Sequence, residues 1–209
     1  MRLLELFSGT GSVGRVFRAA GWETLSVDLD PQAGADVTID VLEWDYAAFP
    51  RGHFDCIWAS PPCTEYSIAR ATARRPRNLE VADAIVQRTL DIIAHFACPY
   101  WIENPATGLL ADRPVMRHLP PPVLVSYCMY GRPFRKNTYL WSDVPFLGLV
   151  CDKQCGAFID GRHEAVAQRG GSRYSTRFFS VHELHAIPED LFREVELATR
   201  VYIESRGGV

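Results

Sequence analysis

The sequence predicts an α/β fold, a doubly wound and mostly parallel sheet with helices on both faces. Three observations carry that expectation. Short apolar runs bounded by turn residues alternate with stretches of helical spacing. The first run passes through a glycine-rich turn straight into a helix pattern. Successive runs end on residues able to do chemistry, namely Asp28, Asp40, Cys63 and Glu103. Open α/β sheets collect their ligands at the carboxyl edge of the strands, so these four are expected together.

Residues 2–7 form the first predicted strand. Ser8-Gly9-Thr10-Gly11-Ser12 follows, then apolar Val13, Val16, Phe17 and Ala20 before Gly21, which reads as a glycine turn, a capped helix and a helix-ending glycine. Glycines let the backbone approach a ligand, and the helix start offers free N–H groups. Residues 24–27 form a second strand ending in Asp28, where a ribose diol would hang; Asp28 is equally placed to cap a turn through Pro31. Neither a Gly-Lys-Ser/Thr ending nor three dinucleotide-type glycines occur. A nucleoside cofactor without a pyrophosphate is therefore favoured, and S-adenosylmethionine fits. Residues 36–39 form a third strand delivering Asp40, which either accepts from an adenine amino group or starts the loop toward Trp44.

The next run, residues 54–59, stops at Ser60-Pro61-Pro62-Cys63. Two prolines end the ladder and fix the chain, leaving a thiol at a strand's carboxyl end. Such a cysteine is either a small buried hydrophobe or a nucleophile. A polar stretch with Arg70, Arg74, Arg75 and Arg77 runs to Asn78, which caps a helix with Leu79, Ala82, Ile85, Val86, Leu90, Ile93 and Phe96 on one face. Pro99 breaks it, and Tyr100-Trp101-Ile102 leads to Glu103-Asn104-Pro105, a second proline-stopped terminus presenting a carboxylate. Low solvation would raise the pKa of Glu103 and make it a proton donor, unless a backbone cap satisfies it. Residues 123–128 form another strand, and residues 137–141 a further one after Arg132-Pro133-Phe134-Arg135-Lys136. At least one of Arg135 and Lys136 is expected to face the shared crevice.

The chain of 209 residues holds one well-buried domain, with 47% apolar and 22% charged residues. No run reaches membrane-span length, and Glu5 and the early glycines do not suit a signal peptide. Six irregularly spaced cysteines suit reduced thiols in a cytoplasm. The net charge of −3 excludes a uniformly basic nucleic-acid binder, but the arginines cluster at 70–77 and 113–135 while acids gather elsewhere. That polarity suits a face meeting phosphates.

Leu6-Phe7-Ser8-Gly9-Thr10-Gly11, Ser60-Pro61-Pro62-Cys63, Ile102-Glu103-Asn104-Pro105 and Tyr130-Gly131 through Arg135-Lys136 to Thr138 together resemble the DNA cytosine C5 methyltransferases, in the family's order. The resemblance implies a Rossmann-like, S-adenosylmethionine-dependent methyltransferase acting on DNA. It implies Cys63 as nucleophile, Glu103 as acid, and Arg135 or else Lys136 as the residue gripping the base. Phe7, Gly9, Gly11, Asp28, Leu29, Asp40 and Pro62 fall on the cofactor motifs. Asn104, Lys136, Thr138, Arg70, Arg74 and Arg75 fall on the substrate side. The sequence departs from the family with Thr64 after Pro-Cys, Pro105 after Glu-Asn, Leu29 where an aromatic is common, and a short region after Trp141. These departures resemble a short, phage-like branch.

We read residues 1–142 as the catalytic core, 143–180 as a loop-rich insert with a minimal recognition region, and 181–209 as a helix returning to the core. The insert carries Cys151, Cys155 and His163, residue types of a structural zinc site that Cys128, His182 or His185 would complete. Competing readings are an amino-group methyltransferase, an RNA or free-nucleotide substrate, and a methylase-like binding protein without turnover.

Overall fold

The computed structural model describes residues 1–68, 75–167, 179–180, 183–184 and 186–207. Its strands and main helices run β1 (Arg2–Leu6), α1 (Ser12–Ala19), β2 (Glu23–Asp28), β3 (Val37–Thr38), β4 (Cys56–Ala59), α2 (Leu79–Phe96), β5 (Tyr100–Pro105), β6 (Val123–Ser126), β7 (Asn137–Ser142), β8 (Phe158–Ile159), β9 (Arg162–His163) and α3 (Glu189–Gly207). Seven strands form one sheet in the order β3-β2-β1-β4-β5-β7-β6, and β8 pairs with β9 apart from it. The sheet is parallel from β3 to β5, and β7 runs antiparallel to both its neighbours. The chain winds outward from β1 to β3, then restarts at β4 on the other side of β1. This reversal opens a crevice beyond the carboxyl ends of β1 and β4.

Both faces of the sheet are buried, so successive strand residues serve opposite cores. Leu4, Leu6, Ile57 and Ile102 pack with Val86, Ile92 and Phe96 of α2. Leu3, Cys56, Trp58 and Trp101 pack with Phe17 of α1 and Leu191, Phe192 and Val195 of α3. This is why the central strands read as unbroken apolar runs. On α3 the Thr199 hydroxyl accepts from the Trp101 indole at 2.9 Å and Glu196 accepts from Trp22 at 2.7 Å, so the helix returns to the sheet with its buried polar groups paired.

Several elements differ from the sequence expectation. Gly11, at φ 62, is the N-cap of α1 and provides no side-chain cap, so Ser12 is the first helical residue. The third strand shortens to two residues, and the sixth ends at Ser126 because residues 127–130 tighten into a 3-10 turn. Asn78 caps α2 as expected, accepting from Val81 N–H at 3.3 Å, but Thr89 and Ile92 join its buried stripe. β5 ends in Glu103-Asn104-Pro105 as expected, but through a pairing that the sequence did not indicate. Its parallel ladder with β4 ends at Ile102, yet antiparallel pairing with β7 carries it through Glu103↔Leu140 and Asn104↔Tyr139 to Pro105↔Thr138. Glu103 and Asn104 are therefore paired strand residues, 6% and 1% exposed.

Candidate active site

Four strand ends converge at the crevice. β1 hands over to Phe7, which adopts φ 60, a left-handed conformation uncommon for a bulky residue and typical of constrained functional loops. The N–H groups of Phe7 and Ser8 both donate to the Val27 carbonyl, at 2.8 and 3.3 Å, folding the loop back over β2. Gly9 at φ 48 and Gly11 at φ 62 complete a turn that side chains would strain. Asp28 fastens this loop: its Oδ2 accepts from Gly9 N–H and its Oδ1 from Asp30 N–H, both at 2.8 Å. Each carboxylate oxygen keeps a further acceptor site for a ligand hydroxyl. The turn at Pro31 is capped by Asp30, not Asp28.

Behind the loop lies Glu5, 1% exposed, in the middle of β1. Its Oε2 accepts from Gly14 N–H at 3.0 Å, standing in for the missing side-chain cap of α1. Burial pushes its carboxyl up to about 7, against the pull of Gly14 N–H and the charges of Arg18 and Arg15. Sequence reading missed this residue, although a carboxylate inside Leu3-Leu4-Glu5-Leu6 was a visible interruption of an apolar strand.

β4 and β5 supply the other side. The Asn104 side-chain amide donates to the Pro61 carbonyl at 2.8 Å and so ties the two proline-marked strand ends together. Cys63 opens a tight turn, its carbonyl accepting from Tyr66 and Ser67 N–H at 3.0 and 2.9 Å. Burial, and then the charge of Glu103, raise the Cys63 thiol above its ordinary range, while Lys136 pulls it down. Burial likewise raises the Glu103 carboxyl, opposed by Lys136, by the Tyr127 hydroxyl that donates to Oε1 at 3.2 Å, and by Ser60. The three groups share one electrostatic unit: burial disposes the thiol and the acid to keep their protons, and the Lys136 charge opposes that shift on each.

Both sides open on a single cavity of about 410 Å³, lined by residues 7–10, Asp28, Pro61, Pro62, Cys63, Glu103, Asn104 and Lys136. A larger cleft of about 770 Å³ lies between α1 and α3, but neither a cysteine nor a proline-marked strand end lines it, and its Glu189 and Glu196 already pair with Arg193 and Arg200. The chemistry belongs to the smaller cavity.

Of the expected site residues, Phe7, Gly9, Asp28, Pro62, Cys63, Glu103, Asn104 and Lys136 meet in this cavity. Others do not line it. Leu29 is 66% exposed, and Asp40 turns away to accept from Leu42 N–H at 2.9 Å. Gly11 sits one step behind as the helix cap. Thr138 is buried within β7, between Pro105 and Val125 in register. Arg135 is exposed on the opposite side of its loop, where its charge is felt at Cys151 and His163. Lys136, not Arg135, lines the crevice; its ammonium lies 4.9 Å from the Tyr127 ring centre and donates to the Leu184 carbonyl at 3.0 Å. Arg75 pairs with Glu65 at 3.1 Å, and Arg70 and Arg74 lie outside the described residues.

No family profile matches the chain. It is 37% identical over 159 residues to the probable DNA (cytosine-5)-methyltransferase of Frog virus 3 (isolate Goorha), covering 69% of this chain and 71% of that protein. Among solved structures it is similar to the methyltransferase EhMeth of Entamoeba histolytica, with a TM-score of 0.52 and 14% identity over 72% of this chain. The chain spans 55% of that structure's length, and the likeness is one of fold. No helix among the described residues is long and apolar enough to cross a membrane.

Proposed function

The chain belongs to the DNA (cytosine-5)-methyltransferase family, and from that premise we propose that it transfers a methyl group from S-adenosylmethionine to C5 of a cytosine in DNA. The observation that carries this reading is the single cavity, with Cys63, Glu103 and Lys136 at one end and the Asp28-anchored glycine loop at the other.

S-adenosylmethionine suits the loop end. Ser8 and Asn104 both line the cavity, and the Ser8 hydroxyl and Asn104 carbonyl oxygen are buried without a hydrogen-bond partner beside it. The volume lies within the range of about 300–1,000 Å³ that small-molecule sites occupy. Residues 7–10 and Asp28 would hold the nucleoside and methionine portions. When bound, the cofactor supplies an electrophilic methyl group.

The other end supplies what cytosine lacks. C5 is a poor nucleophile until a thiolate adds at C6 and N3 gains a proton. Cys63, its thiol proton passed to solvent, forms the bond to C6 as Glu103 delivers its proton to N3. The resulting enamine attacks the methyl carbon through C5 while the methyl–sulfur bond breaks and S-adenosylhomocysteine leaves. Transfer of the C5 proton to a solvent water then breaks the Cys63–C6 bond, releases the thiolate and restores the ring, and the N3 proton returns to Glu103. Glu103 is suited to this because burial keeps it protonated to higher pH. Its neutral form also removes the charge that most opposes Cys63 ionisation after burial itself, and Lys136 stabilises the thiolate that follows. A cytosine inside a duplex hides C6, so the nucleotide must leave the stack to reach Cys63. The Cys/His cluster stands outside this chemistry, as a candidate structural metal site.

The test is direct. DNA incubated with the chain and S-adenosylmethionine, digested to nucleosides and read by mass spectrometry, should contain 5-methylcytosine. Cys63→Ala should yield none. Methylation of the exocyclic nitrogen instead, or of RNA alone, would replace this reading.

A further inference from the structure

The segment following β7 has little apolar core of its own. Its cluster is small: Cys128, Cys155 and Ala157, with Met129, Cys151 and Phe158 packed against them. Three of these six are cysteines, and His163 of β9 joins them so that all four potential ligand atoms lie within 4.8 Å of one another. The Cys151 and Cys155 sulfurs are 3.6 Å apart, and Nε2 of His163 is 3.4 Å from each. A tetrahedral ion with bonds of about 2.0–2.3 Å holds its ligand atoms roughly 3.3–3.8 Å apart. A disulfide would need about 2.05 Å. Cys151, Cys155 and His163 match the first spacing and not the second, and the Cys128 sulfur lies within 4.8 Å of all three.

The geometry assigns to Cys128, Cys151, Cys155 and His163 a structural zinc site of the Cys₃His type. Soft thiolates in a tetrahedral set with one imidazole favour zinc, and four protein ligands leave no open position for catalysis. The surroundings fit a metal-thiolate centre. Lys153, held at φ 74, turns its N–H to donate to the Cys151 sulfur at 3.4 Å. The Phe158 ring stands edge-on to His163 at 5.2 Å and fixes the imidazole. Three thiolates, neutral histidine and a divalent ion sum to one negative charge, and the exposed Arg135 is the cation beside it.

Cys128 gives the site its consequence. It lies in the turn after β6, next to Tyr127, whose hydroxyl holds Glu103. The same loop continues to Lys136, and Ala165 N–H donates to its Pro133 carbonyl at 3.1 Å. The ion therefore clamps residues 151–165 onto the loop that carries the crevice cation. Without it this segment would rely on a few contacts and two-residue strands.

The experiment is a metal count on the full chain, purified without chelator, which does not depend on methyl transfer. One zinc per chain is expected, with cobalt replacement giving the visible absorption of tetrahedral cobalt and a thiolate charge-transfer band. Titration of wild-type thiols with a mercurial should release the zinc in step with cysteine modification. Cys128→Ser should lower retained zinc at least tenfold, whereas Cys98→Ser should keep it. Chelation of the wild-type chain should expose residues 143–167 to limited proteolysis. A wild-type chain that carries no zinc and yields no tetrahedral cobalt spectrum overturns the assignment, even should the Cys128 variant fail to fold. Full zinc retention in Cys128→Ser overturns the fourth ligand.

Discussion

The two ends of the cavity are built on different principles. At the loop end, geometry comes from backbone: Phe7, Gly9 and Gly11 hold positive φ angles, and both oxygens of Asp28 are engaged by N–H groups. At the thiol end it comes from side chains, with Cys63 and Glu103 both raised by burial and Lys136 acting on each. A backbone-built site degrades gradually, because removing one acceptor loosens a ligand without abolishing the fold of the loop. A coupled trio of titratable groups fails steeply, since each group sets the protonation of the others. The contrast fits a division between binding at one end and chemistry at the other.

Glu103→Gln should produce the larger break in that contrast. The amide keeps the strand position but has no proton to give N3, so kcat should fall by ~10²–10⁴-fold with cofactor affinity unchanged. A loss confined to cofactor binding would merge the two ends into one.

Lys136→Ala comes next. Removing a charged partner of this kind costs about 1.5–3 kcal/mol, or roughly 10–150-fold in rate. Because Lys136 lowers the Cys63 thiol, its loss should move the rising, thiol-controlled limb of the pH–rate profile to higher pH. Arg135→Ala should leave that limb where it is. The opposite pair of results would return the catalytic cation to Arg135.

At the loop end, Asp28→Ala should weaken S-adenosylmethionine binding, measured by calorimetry, by about 1–3 kcal/mol as a charged hydrogen-bond acceptor is lost. The rate at saturating cofactor should barely change. Unaltered affinity would remove the ribose role from Asp28.

Glu5 gives the smallest effect on catalysis and a distinct one on stability. Its folded pKa of about 7 lies above the 4.5 of an unperturbed glutamate. Its stabilising contribution is therefore complete below pH 4.5 and is lost as pH rises through about 7. Glu5→Gln, which can still accept from Gly14 N–H, should become more stable than the parent at pH 8 by on the order of 2–3 kcal/mol in chemical denaturation. Parallel stability curves from pH 5 to 8 would show that Glu5 keeps its ordinary pKa.

Much of this was legible in the chain. Prolines at 61, 62 and 105 mark the ends of β4 and β5, and the Gly9–Gly11 turn marks the start of α1, because these residues restrict backbone locally. What needed the third dimension was long-range pairing. Nothing local says that β7 runs antiparallel beside β5 and carries Glu103 inside the sheet. The choice between Arg135 and Lys136 was likewise open, since alternation cannot be counted through the bend at Pro133. Asp40 was expected at the crevice and instead caps its own turn, a local bond that the short β3 leaves it free to make.

The central claim is that Cys63 bonds to C6 of a flipped cytosine, and DNA carrying 5-fluorocytosine tests it most directly. Fluorine cannot leave C5 as a cation, so the account predicts a covalent protein–DNA adduct that survives denaturation, becomes permanent with S-adenosylmethionine, and maps to Cys63 by peptide mass spectrometry. It should be absent in Cys63→Ser and form far more slowly in Glu103→Gln. Free turnover of the fluorinated DNA by the parent chain, or an adduct that persists in Cys63→Ser, would contradict the account.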